Sequence, residues 1–274
     1  MSFYVSLSGL KGAQSELSVV SNNVANVSSM AFKKTRASFG DIFASSGPTA
    51  VGQGVRMQNT VQQFTQGTLE TTDKTLDLAI TGEGFFTVKS VGVDSIVSYT
   101  RNGAFGVDKD RYVVDTTGSR LQVMPTDPDG DGTPTSTDPA ALTDLVVPKV
   151  SPDDATVTLA SISISETGLV SATFADGSVK NLGVIAMASF PNQEGLRQQG
   201  DAHWTATNRS GEADYGAGNN GAFGAVRSGT LERSNVDITE ELVALISAQR
   251  NFQANAKAIE TASSMTQTIV NMRT

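Results

Sequence analysis

The stretch Ser234-Asn235-Val236-Asp237-Ile238-Thr239-Glu240-Glu241-Leu242-Val243-Ala244-Leu245 decides the architecture. Asp237 has the chemistry of a helix N-cap, and Glu240 three residues later completes a capping-box-like pair. Downstream, Ile238, Leu242, Leu245, Phe252, Ala256, Ile259, Ile269 and Met272 fall at intervals built from threes and fours. Gln249 and Ser263 interrupt that seam. The spacing predicts a helix over 237–272.

The opposite end has the same character. Phe3, Leu7, Leu10, Leu17, Val20, Val24 and Val27 keep the helical period, with Gln14 where the seam skips. Gly9 and Gly12 lie inside it, and each costs about 1 kcal/mol against alanine. A lone helix this short and this rich in glycine and serine is marginal in water. Both termini therefore need partners, and the nearest is the other terminus. Periodicity alone leaves open a plain two-helix cap on a β-domain.

Between the ends the pattern is short and extended. Residues 84–88, 97–100, 112–114, 156–159, 169–174 and 184–187 read as strands separated by turn signals. Asp176-Gly177 reads as a hairpin turn. The fold class is α+β: a mainly β central domain flanked by N- and C-terminal helices that pair as a coiled coil. Residues 1–30 and 235–274 form the helical part, 31–80 and 227–234 connecting segments, and 81–226 the β-rich core.

Composition removes several functions. The chain of 274 residues has no cysteine, which excludes disulfides, thiolate metal sites and cysteine nucleophiles. One histidine, His203, leaves no His-rich metal centre within a chain. A net charge of −8 argues against nucleic-acid binding. The N-terminus lacks the basic and apolar regions of a cleaved signal. The longest apolar run, Leu182–Phe190, is too short to span a bilayer, so no membrane insertion is expected.

Four motifs carry possible chemistry. Asp127, Asp129, Asp131 and Asp138 have the spacing of an EF-hand-type calcium loop, with Gly132 at the sixth position. Pro128, Pro134 and Pro139, and the lack of flanking helices, favour an acidic surface turn instead. Gly216-Ala217-Gly218-Asn219-Asn220-Gly221 spells G-x-G-x-x-G, but no strand-like run precedes it and no helix follows it, so it reads as a loop. Asp201 stands near His203, yet no nucleophile elbow accompanies them, and a structural histidine beside a packed Trp204 is the better reading. Lys33, Lys34 and Arg36 form a basic cluster, read as a solvated face or an inter-subunit contact. No acid/base constellation emerges, so an enzyme is not expected, and no cofactor beyond the calcium at issue.

Ser21-Asn22-Asn23-Val24-Ala25-Asn26-Val27, followed by Ala31-Phe32-Lys33, resembles the N-terminal signature of the bacterial flagellar axial proteins, the rod and hook family. Ser234-Asn235-Val236-Asp237, Glu241-Leu242-Val243 and the run Ala248–Asn255 are similar to its C-terminal partner signature. Residues 37–44, 52–55, 63–68, 76–80 with 84–86, 99–105, 190–196 and 200–204 match the hook branch more closely than the distal-rod branch. The resemblance covers roughly residues 1–125 and 180–274. It implies a non-enzymatic subunit that leaves the cell unfolded through the flagellar type III export apparatus, without a cleaved signal. Outside, it would polymerise with itself into a curved tube, the flexible joint that carries torque from rod to filament. Neighbouring rod, hook-cap and hook–filament junction proteins would be its other partners. The alternatives are a distal rod subunit and a secreted β-rich binding module. The residues implied in assembly are Phe3, Leu7, Leu10, Leu17, Val20, Asn22, Asn23, Val24, Asn26, Ile238, Leu242, Leu245, Phe252 and Ile259.

Overall fold

The C-terminal helix forms where its cap and period place it. A computed structural model describes residues 2–43, 52–92, 95–128, 130–152 and 156–272. The chain divides into two compact units.

The first unit combines residues 1–28, 33–64 and 235–274. It contains α1 (Ser2–Ala25), an antiparallel hairpin of β1 (Thr35–Phe43) and β2 (Gly52–Gln62), and α2 (Ile238–Asn271). The helices run antiparallel: Asn23 near the end of α1 meets Glu241 near the start of α2, and Gly9 faces Asn255. Asp237 caps α2 by accepting from the Thr239 and Glu240 N–H groups at 2.7 and 3.2 Å. Glu240 turns its carboxylate to Lys34 at 3.1 Å rather than back to the cap. The two helical glycines have a packing reason. A Cβ on Gly9 would lie 2.7 Å from Asn255 Oδ1, and one on Gly12 would lie 3.3 Å from Val55.

The second unit combines residues 29–32 and 65–234 and holds the main core. Its strands are β3 (Leu69–Thr71), β4 (Leu78–Thr81), β5 (Phe85–Lys89), β6 (Val97–Thr100), β7 (Gly106–Val107), β8 (Val113–Val114) and β9 (Arg120–Met124). They continue as β10 (Thr143–Asp144), β11 (Leu159–Ile164), β12 (Leu169–Phe174), β13 (Val179–Ile185), β14 (Met187–Ser189), β15 (Arg197–Gly200) and β16 (His203–Thr205). Last come β17 (Asp214–Gly216), β18 (Ala225–Ser228) and β19 (Thr230–Glu232). A large antiparallel sheet runs in the order β11-β12-β13-β9-β5-β6-β16-β15, and β4–β18 and β3–β19 make two short ladders. Leu78, Ile80, Phe86, Leu121, Ile185 and Val226 are among its fully buried side chains.

The strands at 97–100 and 169–174 occur as the alternation predicts, and Gly177, with φ +85°, turns β12 into β13. The strand expected at 156–159 begins instead at Leu159, where pairing with Phe174 starts. The expected division of the chain differs more. Residues 33–64 belong with the helices, because β1–β2 packs on them. Residues 65–80 and 227–234 fall in the second unit, where they carry β3, most of β4, the end of β18 and β19. Glu232 fixes them there: its carboxylate accepts the Gly67 N–H at 2.8 Å and lies 3.5 Å from the buried Arg101. Its carbonyl accepts from Ala31, whose φ is +54°. Among the described residues no helix is long and apolar enough to cross a membrane.

Candidate functional site

Asn23 sits on the last turn of α1, buried, and spends every hydrogen-bonding group of its amide. Its Oδ1 accepts the Thr35 N–H at 3.0 Å, and its Nδ2 donates to the Thr35 carbonyl at 2.8 Å. The side chain thus pairs with β1 as a neighbouring strand would. The second Nδ2 hydrogen goes to Glu241 Oε2 at 3.0 Å. Glu241, buried on α2, gives its other oxygen to the Lys34 ammonium at 2.8 Å. Lys34 also reaches Glu240, and its backbone N–H donates to Asn235 Oδ1 at 2.7 Å. Asn235 Nδ2 in turn donates to the Gln63 carbonyl at 2.8 Å. One polar cluster therefore ties α1, both ends of the hairpin and the entry of α2. Burial pulls the Lys34 pKa down, but hydrogen bonds and charge from Glu241 and Glu240 outweigh it and hold the ammonium above the ordinary lysine range.

Three family models match: a flagellar basal body rod protein over residues 3–33, a flagellar hook protein FlgE/F/G D1 domain over 79–172, and a flagellar basal body rod FlgEFG C-terminal region over 227–272. The first spans Asn23 and the Ala31-Phe32-Lys33 signature, and the third spans Asn235 and Glu241. The flagellar basal-body rod protein FlgG of Bacillus subtilis (strain 168) is 34% identical over 289 aligned residues, covering 99% of this chain and 98% of that one. The chain belongs to the flagellar hook and rod protein family. The flagellar hook protein FlgE of Salmonella typhimurium (strain LT2) is 30% identical over 410 aligned residues that cover 100% of both chains. A crystal structure of Helicobacter pylori flagellar hook protein FlgE2 aligns with a TM-score of 0.24 at 15% identity, over 57% of this chain and 43% of that one. The relatives are structural proteins of the flagellum.

The hook and rod signature residues separate into two sets. Val20 and Asn23 are buried, and Leu7, Leu10, Leu17, Val24, Leu245, Phe252 and Ile259 are half-buried within the first unit. Phe3, Asn22, Ile238 and Leu242 face outward. Asn26 closes the end of α1 by donating to the Asn22 carbonyl at 3.0 Å. Lys34, Thr35, Asn235 and Glu241 complete the cluster without having been singled out from the sequence for that role. A signal existed for Glu241: it stands in helical step with Leu245, Ala248 and Phe252, a charge on the inward stripe. The basic cluster is also reassigned in part. Lys33 is buried and Lys34 pairs internally, and only Arg36 is exposed.

Asp131 turns its Oδ1 to the Thr133 N–H and hydroxyl, at 3.1 and 2.7 Å. Asp129 lies outside the described residues. Among the described residues no three histidine or carboxylate side chains come together as a metal would require. The glycine-rich stretch is a loop between β17 and β18. It does follow a strand, β17, which the sequence pattern did not reveal, but no helix follows it. His203 is buried, with Nε2 2.7 Å from Asp115 rather than engaged with the nearby Asp201. Trp204 packs on Phe85 with ring centroids 5.8 Å apart.

Proposed function

We propose that this chain is the structural subunit of a flagellar hook, polymerising with itself into a curved tube that joins rod to filament and transmits torque. One observation carries the reading. The paired terminal helices leave large apolar side chains exposed, among them Tyr4, Val243, Ile246, Met265, Ile269 and Val270. Each such side chain is worth about 1.5–3 kcal/mol when a neighbouring subunit covers it. A seam of them supplies assembly energy that one chain by itself does not use. The hook-type segments between residues 37 and 105 favour hook over rod. Rod, hook-cap and junction proteins are then the neighbours, with export through the type III apparatus and a final place outside the cell. The absence of cysteine suits passage of an unfolded chain.

A distal rod subunit is the second reading, and length favours it. The rod relative aligns over 289 residues with almost no insertion, whereas the hook relative needs 410 aligned positions. Negative-stain electron microscopy of the full-length protein, concentrated with a precipitating salt, separates the readings. Curved flexible tubes are expected. Straight rigid tubes would assign the rod, and dispersed monomers under every condition would favour a secreted β-rich binding module.

A further inference from the structure

Few side chains of α1 and α2 are fully buried where the helices pair: Ala13, Val20 and Asn23 on α1, Glu241 and Ala248 on α2. The apolar ones among them are of small or middle size, so apolar burial by itself sets the register weakly. The polar cluster at the end of the pair is different. Glu241 is buried, and its two oxygens are taken by Asn23 Nδ2 at 3.0 Å and Lys34 Nζ at 2.8 Å. A slip of one turn in one direction sets Leu245 opposite Asn23, so that the second Asn23 amide hydrogen and the Lys34 ammonium lose the Glu241 acceptor. A slip in the other direction drives the Glu241 carboxylate against Val19 and Val20, with no donor near it. Either way a buried polar group loses its partner, which is the costly event in a desolvated site. A single buried polar contact fixes register in helical assemblies by the same logic.

We propose that Asn23, Lys34 and Glu241 are positioning residues that lock α1 and α2 into one antiparallel register, so that every subunit presents the same exposed apolar side chains. The consequence for a polymer rests on the assembly reading above, but the register itself does not.

The cysteine-free chain allows a direct test by paired substitutions in the full-length protein. Gly9→Cys with Asn255→Cys reports the register of the structure, since a Cβ on Gly9 would lie 3.0 Å from Asn255 Cγ. Gly9→Cys with Asn251→Cys, or with Ile259→Cys, reports a slip of one turn either way. Under mild oxidation in dilute solution, the 9/255 pair is expected to close in most molecules and the other two in few. Adding Asn23→Leu is expected to lower the 9/255 yield several-fold and raise one of the slipped pairs, with helicity by circular dichroism retained. If Asn23→Leu unfolds the helices, Glu241→Gln decides: it keeps the shape and weakens the hold on Lys34, and a smaller shift of the same sign is expected. Failure of 9/255 to close in the parent overturns the proposal, as does its unchanged dominance in the variant that stays helical. Tube formation is scored separately. Tubes without 9/255 closure refute the lock alone, and 9/255 closure without tubes refutes the assembly reading alone.

Discussion

Lys34 answers to two glutamates at once, and that makes the helical unit sensitive to alkali. Its folded pKa lies above the ordinary lysine value of 10.5. The stabilisation is therefore fully present below that value and is lost as pH rises through the folded one. Far-ultraviolet circular dichroism of the full chain should show a helical loss above about pH 10.5. Lys34→Met should abolish that step, at a cost of about 2–3 kcal/mol in stability because it leaves Glu241 buried and less satisfied. Asp115 runs the opposite way. Burial raises its pKa, but hydrogen bonds from His203, Thr117 and Ser119 prevail and hold it below the ordinary carboxylate range. Its contribution is present above the ordinary value and is lost as pH falls through the folded one. Asp115→Asn should destabilise the β unit by about 2–3 kcal/mol near neutral pH, read by chemical denaturation, and flatten its acid limb. For the Asp127–Asp138 loop, Asp131 already serves Thr133, and calorimetry with millimolar Ca²⁺ is expected to show no binding heat.

At the scale of elements, the helical glycines are the telling case. Gly9 has no Cβ where Asn255 approaches, and the obstructing atom is the end of a flexible side chain. Gly9→Ala should therefore change thermal stability little, because the gain in helix propensity, about 1 kcal/mol, offsets the displacement of Asn255. Gly9→Leu should separate α1 from α2 and cost about 1–3 kcal/mol by overpacking. Equal melting temperatures for the two variants would show that the helices do not meet there. The start of α2 follows the same local logic. Asp237 accepts two N–H groups of the first turn, and those bonds hold its pKa below the ordinary range.

Across the whole molecule, the division into two units separates what folds from what is proposed to assemble. The second unit has its own core of strand side chains from β4 to β18. A chain lacking about residues 1–30 and 240–274 is expected to keep the β circular dichroism signal and a cooperative melt. It should form no tubes under the salt conditions that polymerise the intact protein. Loss of the cooperative melt would mean that the terminal helices are needed to fold the β unit.

The sequence by itself determined the terminal helices, the capping aspartate, several strands and the family, since each is written in periods of two or of three and four, or in contiguous motifs. Only the tertiary structure decided that β1–β2 belongs with the helices and that 227–234 belongs with the β unit. It also decided that Asn23 reads the backbone of Thr35 while holding Glu241, 218 residues away. Helix and strand propensities are local and repeat along the chain, so they can be read from neighbours. A hydrogen bond between distant residues depends on how elements pack, and no local pattern encodes which polar side chain will find which partner once water is excluded.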